Sequence, residues 1–481
     1  MSSIVQTGVA GLDNVLGSGF PRNRLYLIQG EPGVGKTTLA LQFLLAGVRA
    51  GERCLYVTLS ESEAELRAVA SSHGWTLEGI QIYEMSVGGG HEVQDEENTL
   101  YVPAEVELGE RMEALLAEVD RVKPSRVVVD SCSELRLLAE TPLRFRRQVL
   151  ALKHDLVRRD CTILMLDNPV SIGGDPLLQS LVHGVVAMEQ LSPDYGAERR
   201  RLRVTKLREV AFRGGYHDMV IRQDGVAVFP RLVASEHSER FMPGSASSGI
   251  AGIDALLGGG LDRGTSTLFM GPAGTAKSAL ATQYAVAAAA RGDHVAMFTF
   301  DEGLGTLFTR ATALGMALET HVKSGSVTVQ QIDPAELSPG EFVQTVRVAV
   351  EQSNARIVII DSLNGYLQAM PEEKFLTVQL HEMLSYLRQR GVIMIMVVAQ
   401  HGFLGQVAAP IDVSYLADTV VLMRYFETSG RVRKAISVVK KRSGQHEDTI
   451  RELQVGANGF TVGPPLVEFQ GVLSGMLDRV S

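Results

Sequence analysis

Short apolar runs recur along this chain, and longer stretches with helix-compatible spacing separate them. The clearest runs are 25–28, 54–59, 126–130 and 161–166 in the first half, and 295–300, 356–361 and 392–399 in the second. Apolar runs of this length, bounded by glycine and polar residues, predict strands that are buried on both faces. Their alternation with helices predicts the α/β class, with doubly wound, mostly parallel sheets.

The two halves of the chain repeat one another at a constant offset. Segment 8–13 recurs at 249–254, segment 30–37 recurs at 271–278, and Glu61 recurs as Glu302. Equal offsets over such distances indicate the duplication of a whole domain. We therefore predict tandem domains at 1–234 and 249–481, joined by a polar linker rich in small residues at 235–248.

Composition narrows the class of protein. The chain has 481 residues, of which 45% are hydrophobic, enough for two ordinary cores. Its apolar runs fall well short of the roughly 20 residues of a membrane span, and its N-terminus lacks the pattern of a secretory signal. We expect a cytoplasmic protein without a membrane partner. The formal net charge of −9 also makes nucleic acid an unexpected partner.

Segment 30–37 matches the phosphate-binding P-loop pattern, between a predicted strand and a predicted helix. In such a loop, backbone N–H groups point at phosphate oxygens, the lysine reaches the β and γ phosphates, and the following hydroxyl ligates Mg²⁺. The pattern therefore predicts a site for ATP and Mg²⁺. Its candidate nucleotide-binding residues are Gly30, Gly33, Gly35, Lys36, Thr37 and Thr38.

The second P-loop departs from the pattern at one position. Its candidate nucleotide-binding residues are Gly271, Gly274, Thr275, Ala276, Lys277, Ser278 and Ala279. Ala276 stands where the pattern has the glycine that precedes the lysine. A methyl group there is expected to crowd the phosphates, which puts ATP handling at the second site in question.

Three acidic residues that follow predicted strands are the candidate catalytic residues. Glu61 follows the strand at 54–59, and Asp301 and Glu302 follow the equivalent strand at 295–300. Ligands bind at the carboxyl ends of the strands in an open α/β sheet, so these carboxylates are placed to orient or deprotonate an attacking water. The alternative is that Glu61 lies in the first turn of a helix, where an acid is favourable. Its recurrence favours the catalytic role.

Two further strands end in an aspartate, as in the Walker B pattern. Asp130 ends the run at 126–130, and Asp361 ends the run at 356–361. Such an acid holds Mg²⁺ directly or through a water molecule. The candidate metal ligands are Thr37 and Asp130 in the first domain, and Ser278, Asp361 and Glu302 in the second.

Basic, strand-like segments occur towards the end of each domain, at 199–208 and 431–442. Alternation along a strand places Lys206 with Arg208, and Lys440 with Arg442, on one face. A cation pair with nothing local to neutralise it suits a phosphate that arrives from a neighbouring subunit. The alternative is an edge strand that is protected by charge.

Together these segments resemble the KaiC family of circadian clock ATPases. The resemblance rests on the paired P-loops and on the segments 58–62, 300–302, 360–363, 206–208 and 435–442, and it extends from about Thr7 to Gly475. It implies two RecA-like P-loop NTPase domains per chain, stacked as two rings in a homohexamer with ATP bound between subunits. It also implies slow ATP hydrolysis in the first ring, and autokinase activity with reverse phosphotransfer in the second.

The resemblance assigns roles to individual residues. Glu61, Asp301 and Glu302 match the family's catalytic acids, and Lys206, Arg208, Lys440 and Arg442 match the residues that reach the neighbouring subunit's nucleotide. The family's adjacent phosphoacceptors align with Ser414 and Tyr415. Ser414 is the stronger candidate, because Tyr415 replaces a threonine. The alternative for Ser414 is a helix-capping hydroxyl, with Asp412 and Val413 before it.

Departures from the family pattern change the expected chemistry and partners. Ser60 replaces the first glutamate of a pair, which leaves Glu61 to act without a like-charged neighbour. The chain ends soon after Gly475 and lacks most of the tail by which the clock protein meets KaiA, so KaiA is not expected as a partner. A KaiB-like or other signalling protein is the partner that the resemblance implies.

We therefore expect a KaiC-like, Mg²⁺-dependent ATPase with serine autokinase activity, acting as a hexameric signalling regulator. Two alternatives stay open. A RecA- or RadA-type DNA-dependent ATPase shares this core but would need a basic or aromatic DNA-binding loop. A nucleotide-gated scaffold would bind ATP in the second domain without transferring phosphate, and Ala276 and Tyr415 favour it.

Overall fold

The computed structural model describes residues 4–85, 104–168, 176–192, 196–237, 239–368, 376–400 and 414–467, with two short strands at Phe469–Gln470 and Asp478–Arg479. Contacts divide the chain into two compact units, Met1–Arg231 and Leu232–Ser481. The segment 235–248, expected to be a linker, belongs to the second unit. There the Glu239 backbone N–H donates to the Gln389 carbonyl at 3.4 Å, and the Glu239 carboxylate pairs with Arg390.

The first unit alternates strands and helices along most of its length. Its strands are β1 Ile4–Val5, β2 Phe20–Pro21, β3 Leu25–Gln29, β4 Cys54–Thr58, β5 Ile80–Glu84, β6 Arg126–Asp130, β7 Thr162–Asp167, β8 Gly184–Leu191, β9 Arg199–Leu207, β10 His217–Arg222 and β11 Gly225–Phe229. Its helices are α1 Leu12–Val15, α2 Lys36–Arg49, α3 Glu63–Ser72, α4 Ala104–Val122, α5 Cys132–Leu138, α6 Pro142–Arg158 and α7 Pro176–Leu181.

The main sheet of the first unit has nine strands within the described residues, in the order β11-β10-β9-β8-β3-β7-β6-β4-β5. The strands from β8 to β5 are parallel, and β9, β10 and β11 extend the sheet in antiparallel fashion. Along β3, Tyr26 and Ile28 enter one apolar cluster, and Leu25 and Leu27 enter another. Both faces of the sheet are therefore covered, which is why its central strands read as continuous apolar runs.

The second unit repeats this plan. It begins with the 3₁₀ turn Ala234–His237, and its strands are β12 Ser245–Ala246, β13 Leu261–Asp262, β14 Ser266–Pro272, β15 His294–Thr299, β16 Val327–Gln331, β17 Ala355–Asp361, β18 Ile393–Gln400, β19 Thr419–Thr428, β20 Arg431–Lys441, β21 Arg451–Gly456, β22 Gly459–Pro465, β23 Phe469–Gln470 and β24 Asp478–Arg479. Its helices are α8 Ala251–Leu256, α9 Lys277–Ala290, α10 Leu304–Ala313, α11 Leu318–Lys323, α12 Pro339–Glu351, α13 Leu363–Gln368 and α14 Leu376–Gln389.

The main sheet of the second unit, among the residues described, has the order β16-β15-β17-β18-β14-β19-β20-β21-β22. This is the order of the first sheet, with six parallel strands and three antiparallel ones. In each unit the peptide bond after the aspartate that ends the Walker B strand is cis, at Asp130–Ser131 and Asp361–Ser362. In the part of the chain that the structure describes, no helix combines the length and the apolar character needed to cross a membrane.

Candidate functional site

The first P-loop joins the end of β3 to the start of α2. Gly33 and Gly35 have φ angles of 82° and 105°, a left-handed conformation that glycine adopts without steric cost. Gly35 is the N-cap of α2 and provides no side-chain cap. The first N–H groups of the helix are therefore available to an anion, as a phosphate site requires.

Lys36, Thr37 and Asp130 come together at the carboxyl ends of β3 and β6. Lys36 Nζ donates to the carbonyls of Gly30 at 2.7 Å and Glu31 at 2.9 Å, and Thr37 Oγ1 donates to Asp130 Oδ2 at 3.4 Å. Burial lowers the pKa of Lys36, although Asp130 acts in the opposite direction. Burial also raises the pKa of Asp130. A buried ammonium beside a buried carboxylate suits a ligand that carries both phosphate and Mg²⁺.

Glu61 lies outside helix α3, at the end of the loop that follows β4. The Glu61 N–H donates to Thr58 Oγ1 at 3.0 Å, and Thr58 Oγ1 donates to the Glu61 carbonyl at 2.6 Å. Helix α3 begins at Glu63, and Ser62 and Glu65 form a capping box at its start. The alternative that Glu61 is a first-turn acid is therefore wrong, because other residues fill that role.

The Glu61 carboxylate is half-buried and is available as a proton acceptor. Among the described residues, its Oε2 atom has no hydrogen-bond partner. Its pKa is raised, chiefly by burial and then by the charges of Asp130 and Glu65, whereas Lys36 acts to lower it. A carboxylate in this environment has the chemistry of a general base close to the phosphate site.

In the second unit, Ala276 takes the place of Gly35. It is the N-cap of α9 and has a φ angle of 79°. Its methyl group packs against the apolar cluster of the second unit. An added Cβ on Gly35 would come within 2.7 Å of Ile221 Cδ1, so that flexible side chain would have to shift. The methyl group thus has a core contact, at the cost of a left-handed conformation in a non-glycine residue. The crowding of the phosphates expected from the sequence stays a prediction.

Lys277, Ser278 and Asp361 repeat the arrangement of the first P-loop. Lys277 Nζ donates to the Pro272 carbonyl at 2.7 Å, and Ser278 Oγ donates to Asp361 Oδ1 at 3.0 Å. Burial lowers the pKa of Lys277 to about 8, and Asp361 opposes this shift. Burial raises the pKa of Asp361, whose Oδ2 atom has no hydrogen-bond partner among the described residues. A buried carboxylate oxygen without a hydrogen-bond partner, next to a hydroxyl, is suited to bind Mg²⁺ together with phosphate oxygens.

The two acids that follow β15 have different surroundings. Asp301 is exposed and accepts a hydrogen bond from Ser362 Oγ. Glu302 is mostly buried and pairs with Arg310, whose Nη1 lies 2.9 Å from Oε1 and 2.8 Å from Oε2. Burial raises the pKa of Glu302, and Arg310 opposes the shift. Arg310 was not identified from the sequence. The available signal was an arginine eight residues after Glu302, in a segment with the periodicity of an amphipathic helix.

Lys206 and Lys440 lie near the ends of β9 and β20, and Arg208 and Arg442 directly follow these strands. Both strands have two neighbours in their sheets, but β10 pairs with β9 only at 200–202 and β21 pairs with β20 only at 434–436, so Lys206 and Lys440 pair on one side. The alternative of a charge-protected edge stays a prediction at these residues. Lys206 Nζ donates to the carbonyls of Gln179 at 2.7 Å and Val182 at 2.8 Å. The expectation that nothing local neutralises these cations is wrong for Arg442, because Asp418 lies 3.7 Å from it.

The structure brings the candidate phosphoacceptors next to the second basic pair. Lys440 Nζ donates to the Ser414 carbonyl at 2.9 Å, and Arg442 Nη2 donates to the Tyr415 carbonyl at 3.1 Å. The Tyr415 side chain is 55% exposed. Asp412 and Val413, which belong to the capping alternative for Ser414, lie outside the described residues.

The first unit has the same arrangement with other side chains. Lys206 donates to the Gln179 carbonyl, and Arg208 Nη2 donates to the Ser180 carbonyl at 3.5 Å. Gln179 therefore occupies the position of Ser414, and Ser180 that of Tyr415. Only the second unit has a hydroxyl at the first of these two positions.

A family model described as the ATPase KaiC matches the chain twice, at residues 5–233 and 246–467. The chain belongs to the KaiC family of ATPases. It is similar to the "Circadian clock oscillator protein KaiC" of Acaryochloris marina, with 24% identity over 99% of this chain and 92% of the relative. It is also similar to the "Circadian clock protein KaiC3" of Synechocystis sp., with 24% identity over 98% of this chain and 94% of the relative.

KaiC-family membership confirms the resemblance that the paired motifs indicated. The two nine-stranded sheets, counted over the described residues, confirm the predicted α/β class with tandem RecA-like P-loop domains. Among those same residues, no group of three or more His, Cys, Asp or Glu side chains could hold a metal ion. The hydroxyl and aspartate beside each P-loop, which are in hydrogen-bond contact, fit a Mg²⁺ ion that shares its ligands with phosphate oxygens.

The KaiC-family site of the first unit contains a buried polar network that sequence reasoning missed. Asp167, at the end of β7, is fully buried and accepts hydrogen bonds from Arg136 Nη2 at 3.1 Å and from Gln29 Nε2 at 3.1 Å. By strand register and spacing, the corresponding residues of the second unit are Val398, Leu367 and Met270. The two sites thus differ in buried charge beneath otherwise similar P-loops. The available signal for this network in the sequence was Asp167, an aspartate directly after the apolar run 161–166.

Proposed function

We propose that this KaiC-family chain is a Mg²⁺-dependent, homohexameric regulator whose first domain hydrolyses ATP and whose second domain phosphorylates Ser414. The observation that carries the proposal is the contact of Lys440 and Arg442 with the backbone of Ser414 and Tyr415. If this basic pair reaches the nucleotide of a neighbouring subunit, the Ser414 hydroxyl approaches the same γ phosphate. Proximity of acceptor, cations and phosphate is the main requirement of phosphoryl transfer.

In the first domain, Glu61 acts as the general base. A water molecule attacks the γ phosphorus, its proton passes to the Glu61 carboxylate, and the bond to the bridging oxygen breaks with its electrons on ADP. The unpartnered Oε2 atom of Glu61 supports this role. Thr37 and Asp130 would hold Mg²⁺, which supplies positive charge that offsets the charge of the phosphates.

In the second domain, the Ser414 oxygen takes the place of water. It bonds to the γ phosphorus, ADP leaves with the electron pair, and the hydroxyl proton passes to the Asp301 carboxylate. Ser278, Asp361 and Glu302 are the proposed metal ligands. Gln179 has no hydroxyl to offer at the equivalent position of the first domain, which supports the assignment of transfer to the second.

The proposed setting follows from the family. The names of the relatives above connect them with the circadian clock, and we extend to this chain only a role in signalling through nucleotide and phosphorylation state. We propose a cytoplasmic homo-oligomer, with a KaiB-like or other signalling protein as partner. KaiA, membranes and nucleic acid are not proposed as partners.

The proposal is tested by intact-mass measurement and phosphopeptide mapping after incubation with Mg²⁺-ATP. Phosphate on Ser414 that disappears in Lys277→Ala and in Ser414→Ala is the expected result. Release of ADP without added phosphate would contradict the autokinase role and favour a scaffold whose second domain binds ATP without transfer. Strong stimulation of the ATPase by single-stranded DNA would instead favour a RecA-type function.

A further inference from the structure

The carboxylate of Glu302 is held by a residue of its own domain. Arg310 lies two turns along helix α10, and its Nη1 atom is 2.9 Å from Glu302 Oε1 and 2.8 Å from Oε2. The Glu302 side chain is 20% exposed and the Arg310 side chain is 27% exposed, so solvent screens the attraction between their charges only in part. The arginine is held in turn by Thr282, because Arg310 Nη2 donates to Thr282 Oγ1 at 3.4 Å.

The first domain lacks this arrangement. The offset between the repeats places Val69 at the position of Arg310 and Leu41 at the position of Thr282. Both residues pack on the apolar cluster of the first unit. Within the described residues, the Oε2 atoms of both Glu61 and Glu302 are buried and accept no hydrogen bond. Glu302 differs in its ion pair, because one guanidinium nitrogen of Arg310 lies 2.9 Å from Oε1 and 2.8 Å from Oε2.

We propose that Arg310 is a positioning residue that restrains Glu302 from activating water, so that ATP in the second site is kept for transfer to a hydroxyl. This inference rests on the proposed function of the second domain. Charge-assisted hydrogen bonds are among the stronger contacts in proteins, and at least one must break before the carboxylate can align with a water molecule. The position of Arg310 is a valine in the first domain, so Glu61 has no such ion pair to break, which accounts for a division of labour between the two sites.

The test measures ADP release in a Glu61→Gln background, where the second site supplies the remaining turnover. We expect Arg310→Val, which introduces the residue of the first domain, to raise kcat roughly tenfold with little change in the KM for ATP. Arg310→Lys keeps a cation near Glu302 and is expected to keep turnover low. Phosphate on Ser414, measured by intact mass, should fall in the Arg310→Val variant because more ATP is lost to water.

A reciprocal variant tests the same idea at the other site. In a Glu302→Gln background, Val69→Arg is expected to lower ADP release from the first site severalfold. Arg310→Gln serves as a shorter, polar and uncharged variant if Arg310→Val folds poorly, and thermal unfolding monitors the folding of each protein. In the Arg310 variants the expected change is an increase in turnover, which partial unfolding cannot produce, so that result separates positioning from a merely structural role.

Other outcomes overturn the inference. Unchanged turnover in the Arg310→Val and Arg310→Gln variants would show that the ion pair does not restrain Glu302. A fall in turnover with a raised KM would show instead that Arg310 binds the nucleotide. In either case, Glu302→Gln is then combined with Glu61→Gln. If this double variant loses the remaining ATP turnover, only the inference about Arg310 fails. If that double variant still hydrolyses ATP at the same rate, the proposed role of Glu302 itself is wrong.

Discussion

Tyr56 donates a 2.6 Å hydrogen bond to Asp130 Oδ2 from a position deep inside the first sheet. The tyrosine is fully buried, and the equivalent residue of the second domain is Met297. The hydroxyl therefore stabilises the Walker B carboxylate of one site only. The sequence offered a weak signal for this contact, a tyrosine in the middle of an otherwise apolar strand.

Tyr56→Phe is expected to weaken Mg²⁺-dependent turnover at the first site, because Asp130 Oδ2 loses the shorter of its two side-chain hydrogen bonds, the other being from Thr37 at 3.4 Å. The lost bond should also lower the free energy of unfolding by about 1–2 kcal/mol. ATP turnover in a Glu302→Gln background, together with thermal unfolding, measures both effects. Tyr26→Phe is the matched control, since its buried hydroxyl donates to the Pro21 carbonyl at 2.7 Å without touching an acid. Equal losses of turnover in both variants would contradict the prediction.

Glu61→Gln is expected to lower ATP turnover by roughly 100-fold or more, because the amide cannot accept the proton of the attacking water. Nucleotide binding, measured by fluorescence titration, should change little. Glu65→Gln is the control, since Glu65 is exposed and serves the capping box of α3. Wild-type turnover in Glu61→Gln would show that the base at the first site lies elsewhere.

In the nucleotide-free protein, we expect Lys277 to make the free energy of unfolding of the second domain depend on pH. Its pKa is about 8 when folded, against an ordinary value of 10.5, so between these pH values the unfolded chain binds more protons than the folded one. The free energy of unfolding contributed by this group therefore rises with pH across that window. The difference in unfolding temperature between Lys277→Met and the wild type, followed from pH 7.5 to pH 10, isolates this contribution. A difference that does not narrow with rising pH would contradict the shifted pKa.

Asp167 and Arg136 are expected to be coupled in their effects on stability. Asp167→Val alone removes the partner of a largely buried guanidinium and should lower the free energy of unfolding by about 3 kcal/mol. The double variant Asp167→Val with Arg136→Leu reproduces the apolar pair Val398 and Leu367, and should recover much of that loss. Chemical denaturation of the two single variants and the double variant gives the coupling energy. Additive losses would show that the ion pair is not a stabilising unit.

Much of the fold could be predicted from the sequence, because strand burial and helix periodicity are local patterns. The P-loops at 30–37 and 271–278 also have local requirements, since a glycine-rich turn and a helix N-terminus form the site by themselves. The exact offset between the repeats then indicated two copies of one domain. The position of β9 inside its sheet could not be predicted in this way, because its pairing with β10 depends on how distant segments meet.

The sequence alone determined the family, the α/β class with tandem P-loop domains, and the identities of Lys36, Lys277, Asp130 and Asp361 as candidates. Each of these is encoded in contiguous residues or in a repeat. Only the tertiary structure showed that Arg310 pairs with Glu302, and that the Ala276 methyl packs on the core. These features depend on side-chain directions, which packing between elements sets, and on which polar groups are buried away from water. Neither can be read from the local sequence.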